Sequence, residues 1–136
     1  MIIKKTIVLA AVLASCVMIL SACQESLEEK AAREARTFTE SNCPSHINES
    51  MILDSMTYEP VTRTLHYYYR LTGVDDIERL RQNAAEARRQ LLRGLKNDTS
   101  LKNYKDGGFN FAYTYVLDKK TDEVIYDFDF SSDELH

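Results

Sequence analysis

Phe109-Asn110-Phe111-Ala112-Tyr113-Thr114-Tyr115-Val116-Leu117 decides how this chain folds. Large apolar or aromatic residues alternate with smaller or polar ones, the two-residue period of a strand with one buried face. Beyond Asp118-Lys119-Lys120-Thr121-Asp122, which reads as a turn, the alternation resumes. Val124, Tyr126, Phe128 and Phe130 share one face, opposite Ile125, Asp127 and Asp129. Upstream, in 64–71, Leu65, Tyr67, Tyr69 and Leu71 share a face, with His66, Tyr68 and Arg70 on the other. Residues 51–58 read as one more strand, joined to it through Glu59-Pro60-Val61-Thr62-Arg63, which suits a hairpin loop.

Two helical patterns flank these strands. Leu27, Ala31, Ala35 and Phe38 recur at helical spacing within residues 25–42, and Ser26 and Glu29 have the spacing of a capping box. Ile77, Leu80, Ala84, Ala87 and Leu91 form an apolar stripe over 75–93. Asp75 and Asp76 stand at its start and Arg88, Arg89 and Arg93 towards its end, as the helix dipole favours. Gly94 reads as its left-handed terminator, and a polar loop of about a dozen residues follows, longer than most compact connections. The predicted order is α-β-β-α-β-β. The expected fold is α+β, with two helices packed on one face of a four-stranded antiparallel sheet.

At 136 residues and formal net charge −4 the chain is one domain's length, with no concentrated basic face for nucleic acid. Met1-Ile2-Ile3-Lys4-Lys5 is a positive start, followed by an apolar run from Thr6 to Leu20, the pattern of an export signal. The run ends in Leu20-Ser21-Ala22-Cys23, which resembles the bacterial lipobox. That resemblance implies a signal peptide over 1–22, cleavage before Cys23, diacylglyceryl and fatty-acyl (palmitate-type) modification there, and a single α+β domain over 23–136. Two other readings stay open: cleavage before Cys16, within Leu13-Ala14-Ser15-Cys16, and an uncleaved membrane anchor. Gln24, where an Asp would imply inner-membrane retention, favours the outer membrane with the domain facing the periplasm. Lipidation would leave Cys43 as the lone thiol of the mature chain, expected to be buried or to pair with another chain.

No motif announces catalysis. His46, His66 and His136 share no metal-ligand spacing, Asp127 and Asp129 lack the further oxygens of a calcium loop, and no phosphate loop or nucleophile elbow occurs. No metal, cofactor or enzymatic activity is expected. The aromatic face reads first as core and second as the lining of a ligand cavity. On the other face His66, Tyr68, Arg70, Asn110 and Thr114 form the candidate partner surface.

Asn42-Cys43-Pro44, Ile47-Asn48-Glu49, Leu53-Asp54-Ser55 and Leu65-x-Tyr67-x-Tyr69-x-Leu71 resemble a group of small uncharacterised exported bacterial proteins. The likeness covers about residues 38–72, departs at Asn48 and Met51, and implies fold and export without supplying a site. The expected function is therefore a membrane-anchored lipoprotein. Its small non-catalytic domain would bind an envelope protein partner, as an inhibitor, immunity or exclusion factor. The alternative is a small-ligand carrier with an aromatic-lined cavity between sheet and helices.

Overall fold

The computed structural model describes residues 24–118 and 123–136. The signal segment, Cys16, Cys23 and most of the predicted 118–122 turn lie outside the described residues. No described helix is long and apolar enough to cross a membrane. The elements run α1 (Leu27–Asn42), β1 (Ser45–Asn48), β2 (Met51–Glu59), β3 (Thr64–Leu71), α2 (Ile77–Gln82), α3 (Ala84–Asn97), a 3-10 turn (Thr99–Leu101), α4 (Lys102–Asp106), β4 (Asn110–Leu117), β5 (Val124–Phe130) and a final 3-10 turn (Ser132–Leu135). The α+β class is as expected, but the sheet has five strands, in the order β1-β2-β3-β4-β5. The additional strand is β1, four residues that pair antiparallel with the start of β2.

The sheet is also not wholly antiparallel. β3 and β4 run parallel at its centre, with Leu65 beside Phe111, Tyr67 beside Tyr113 and Tyr69 beside Tyr115. Parallel neighbours need a long crossover, and the helical segment between Leu71 and Asn110 provides it. The expected second helix is divided at Asn83, and its second part runs through Gly94 to Asn97. Gly94 is thus an interior helix residue, not a terminator. The expected polar loop is instead built of the 3-10 turn and α4.

Two bulges adjust the strand faces. One, between Leu53 and Ser55, sets Asp54 out of register with β3. The other, between Tyr115 and Val116, shifts β5 by one residue. Val124, expected with the core face, is 48% exposed, whereas Ile125 is buried. One extra residue in a strand reverses the alternation beyond it.

The core is graded along the strands. Phe109, Phe111 and Phe130 are fully buried at one end, together with Leu65, Ala31 and Ala35. The capping box at Ser26 forms as expected, each partner accepting from the other's backbone N–H at 3.1 Å. Small Ala31 and Ala35 let α1 lie close over the sheet, whereas Phe38, the last residue of the expected stripe, is 36% exposed. Thr39 of α1 ties the helix to β2 beyond the reach of β1. Its hydroxyl donates to the Met56 carbonyl and accepts from the Met56 N–H, both at 2.9 Å. A strand edge with unpaired backbone groups is thereby closed by a side chain.

Candidate binding cleft and the opposite polar face

Towards the other end of the strands tyrosine replaces phenylalanine, and the helices do not close over the sheet. A cleft of about 620 Å³ opens there between α2 and α3 and the aromatic face. Met51, Leu71, Tyr113, Tyr115 and Tyr126 form its floor, and Leu80, Ala87, Leu91 and Leu95 form one wall. Gln90, Gly94 and Asp98 complete the rim. Gly94 has open space where a side chain would project.

The floor is a stack of rings joined across the central parallel pair. Tyr67 and Tyr113 lie 5.1 Å apart and Tyr69 and Tyr115 4.9 Å apart, stacked with nearly parallel rings in each case. Tyr126 meets Tyr115 edge-on at 5.8 Å, and its hydroxyl donates to the Leu80 carbonyl at 2.6 Å, fixing α2 to β5. Among the described residues no hydrogen bond engages the hydroxyls of Tyr67, Tyr69, Tyr113 and Tyr115. Burial pushes all four phenols above their ordinary range, so they remain protonated donors. Asp98 is held below the usual carboxylate range by Ser100, whose hydroxyl and N–H donate to it at 2.6 and 2.9 Å. The cleft is therefore apolar over most of its surface, with hydrogen-bond donors along the floor and one carboxylate at the rim.

The predicted partner residues come together on the other face. Thr114 donates to Asp127 Oδ1 at 2.9 Å, so its oxygen receives the Nε2 proton of His66 at 2.7 Å. That leaves His66 Nδ1 to accept from the Tyr68 hydroxyl at 3.1 Å, with the two rings stacked at 4.0 Å. Arg70 donates twice to Asp54 Oδ2, at 2.8 and 3.0 Å, which gives the bulged Asp54 its role. Asn110 braces a corner: its amide donates to Thr62 O at 2.8 Å and its carbonyl accepts from Ser132 N at 2.9 Å. These polar groups are thus engaged within the domain. A hollow of about 650 Å³ lies beside Arg70 and Asp54, edged by Pro44, His46, Ile52, Thr72 and Asp118. No described group of three or more His, Cys, Asp or Glu side chains is placed to hold a metal ion. Cys43 is half-buried, beside Pro44 after the end of α1, and desolvation raises its thiol pKa.

The placement of His66 in this hydrogen-bond chain has a consequence for pH. Burial lowers the His66 pKa below 6.5, and Asp127, Asp129 and Glu59 only partly oppose that shift. The unfolded chain then binds the histidine proton first, so this contribution to stability is complete above pH 6.5 and is lost as pH falls towards the folded-state value. Urea unfolding between pH 7.5 and pH 5 is expected to show a falling midpoint, with a shallower fall in His66→Gln. An equal fall in both proteins would assign the acid sensitivity to other groups.

With the architecture established, the chain belongs to a domain family of unknown function, DUF8479, whose model matches residues 26–126. Among solved structures it is similar to a Pseudomonas aeruginosa protein assigned as secreted. The TM-score is 0.65 at 19% identity, over 83% of this chain and 100% of that one. It is also similar to EpsS, the pilotin of the Vibrio vulnificus type 2 secretion system. Here the TM-score is 0.53 at 12% identity, over 81% of this chain and 92% of that one. At these identities the likeness is one of fold. No curated protein matches the chain by sequence.

Proposed function

We propose that the protein is a lipoprotein of the bacterial envelope, anchored through Cys23. On this reading its non-catalytic domain holds an apolar segment of an envelope protein in the cleft between α3 and the tyrosine face. The observation that carries this reading is the open cleft itself, with aliphatic walls and the Tyr113 and Tyr115 hydroxyls on its floor, which make no hydrogen bond among the described residues. An apolar side chain on this floor would gain contact area, and backbone carbonyls beside it would accept from the phenols. The fold likeness to a secretion-system pilotin and the Leu20-Ser21-Ala22-Cys23 stretch support an envelope setting. The polar groups of His66, Tyr68, Arg70, Asn110 and Thr114 already have partners within the domain, which favours the cleft over that face. The cleft volume also lies in the usual range for small ligands, which favours a carrier as the second reading.

A photo-crosslinking residue at Leu91, in the lipidated protein in its native membranes, tests both. The expected result is one discrete adduct whose mapped peptide is apolar. It should persist in Gly94→Ala and disappear in Gly94→Phe, which fills the cleft from a position with open space. A small molecule retained in native mass spectra and expelled by Gly94→Phe would establish the carrier reading instead. Absence of both would overturn the cleft as a binding site.

A further inference from the structure

We propose that the tip of the β2–β3 hairpin, Pro60-Val61, is a second membrane contact, seated among the lipid headgroups beside the acyl chains on Cys23; this rests on the lipid-anchor reading above. Val61 is 94% exposed, against 48–50% for Val124 and Ile47, and it stands at the apex of a four-residue turn. Isolated exposed apolar residues are common on proteins. The placement of this one, relative to the anchor, is what gives it meaning.

The hairpin tip is fixed to the end of the domain from which the anchor departs. Arg63, in the turn with φ 53°, pairs with Glu28 in the first turn of α1 at 2.8 Å. The same guanidinium lies 4.6 Å over the Phe109 ring, and Asn110 holds the Thr62 carbonyl. Cys23 precedes Leu27, the first residue of α1, by four positions, and four residues fully extended span only about 14 Å. Acyl chains on Cys23 would therefore keep the start of α1, and with it the hairpin, against the bilayer. Val124 and Ile47 belong to the opposite end of the sheet, where β5 begins and β1 meets the first half of β2.

The chemistry of this end suits a lipid surface. Pro60 has no N–H to leave unsatisfied on leaving water, and the Thr62 hydroxyl is bonded to that of Thr64 at 2.8 Å. The carboxylates at the start of α1 are compensated: Glu25 pairs with Arg33, Glu28 with Arg63, and Glu29 closes the capping box. Free negative charge at the helix start is thus reduced where headgroups would approach. The contact would set the tilt of the domain, directing the Met51–Leu80 side of the cleft away from the bilayer.

The chain contains no tryptophan, so Val61→Trp and Val124→Trp are single reporters. Each lipidated protein, verified by intact mass, is reconstituted into phosphatidylethanolamine–phosphatidylglycerol vesicles with and without brominated acyl chains. In Val61→Trp the emission is expected to shift to the blue and to lose most of its intensity to bromine, and in Val124→Trp to do neither. Equal, unquenched emission from two lipidated proteins would overturn the hairpin contact and leave the anchor standing. A mass without the diacylglyceryl group would overturn the anchor, and the contact with it.

Discussion

Replacing Phe109 with alanine is expected to lower the free energy of unfolding by about 4 kcal/mol, within the range for burying and then deleting an aromatic ring. The ring is completely buried and packs against Tyr58 at 5.6 Å and Tyr104 at 5.2 Å, beneath the Arg63 guanidinium. Its neighbours come from β2, α4 and the hairpin turn, none of which can move inwards without leaving its own contacts, so the cavity will not collapse. In a domain of this size the loss corresponds to a fall of about 15 °C in Tm. Urea unfolding and a thermal melt of the two proteins measure it directly, and a loss under about 1 kcal/mol would show that the site collapses readily.

Lys105→Met is expected to cost about 3 kcal/mol although the substitution replaces a charge with an apolar side chain. Lys105 is 7% exposed. Its Nζ donates to the carbonyls of Leu95, Lys96 and Asp98 at 2.8, 3.1 and 2.7 Å where α3 ends, the Leu95 carbonyl also accepting from the Asp98 N–H at 3.4 Å. Methionine preserves most of the volume, so the cost is mainly the unanswered carbonyls and the lost cation at the negative end of the helix. Desolvation of the ammonium in the native protein offsets part of the gain, which keeps the figure below the sum of three charged hydrogen bonds. Lys102–Asp106 and Arg89–Glu86, with side chains 52–68% exposed, provide the contrast: solvent screens both pairs, and neutralising either should leave the unfolding midpoint almost unchanged. The same unfolding midpoints separate the cases, and a Lys105→Met protein as stable as the parent would remove the helix-end role.

The sequence carries the strands plainly because their faces differ so much. Phe111, Tyr113 and Tyr115 have no competing reading, and the capping box at Ser26 is a local arrangement that local sequence specifies. Direction is another matter. Alternation has the same period in a parallel and an antiparallel pair, so Leu65–Leu71 and Phe111–Leu117 do not by themselves state how they lie together. The helical stretch between them was the available signal, since a hairpin would not need it. Gly94 misleads as a terminator because helix ends and helix interiors beside open space both tolerate glycine. Lys105 is invisible to periodicity, being a charged residue buried by hydrogen bonds that only the tertiary fold assembles. The bulges at Asp54 and Ile125 likewise depend on partners in other strands.

The candidate cleft is half legible. The order Phe-x-Phe-x-Tyr-x-Tyr along 109–115 already grades the face from dry to hydroxyl-bearing. Whether helices seal the tyrosine end depends on where α2 and α3 come to rest, which the stripe Ile77–Leu91 does not specify. The residues expected to meet a partner lie on one face, but their mutual hydrogen bonds follow from the parallel β3–β4 register, which pairs His66 with Ala112 and Tyr68 with Thr114 and so leaves the His66 ring diagonal to the Thr114 hydroxyl.

The parallel joint also has a temporal side. Phe109, Phe111 and Phe130, the largest fully buried side chains, all lie beyond residue 108, and β3 acquires its inner neighbour only when β4 arrives. A chain emerging amino end first carries α1 and the β2–β3 hairpin into solvent with little to condense around, because loop closure across the whole crossover must precede the central contacts. Such a polypeptide lacks its largest buried rings until its final quarter is present. On the envelope reading proposed above, late completion of the core would leave the chain thin enough to thread through a translocation channel.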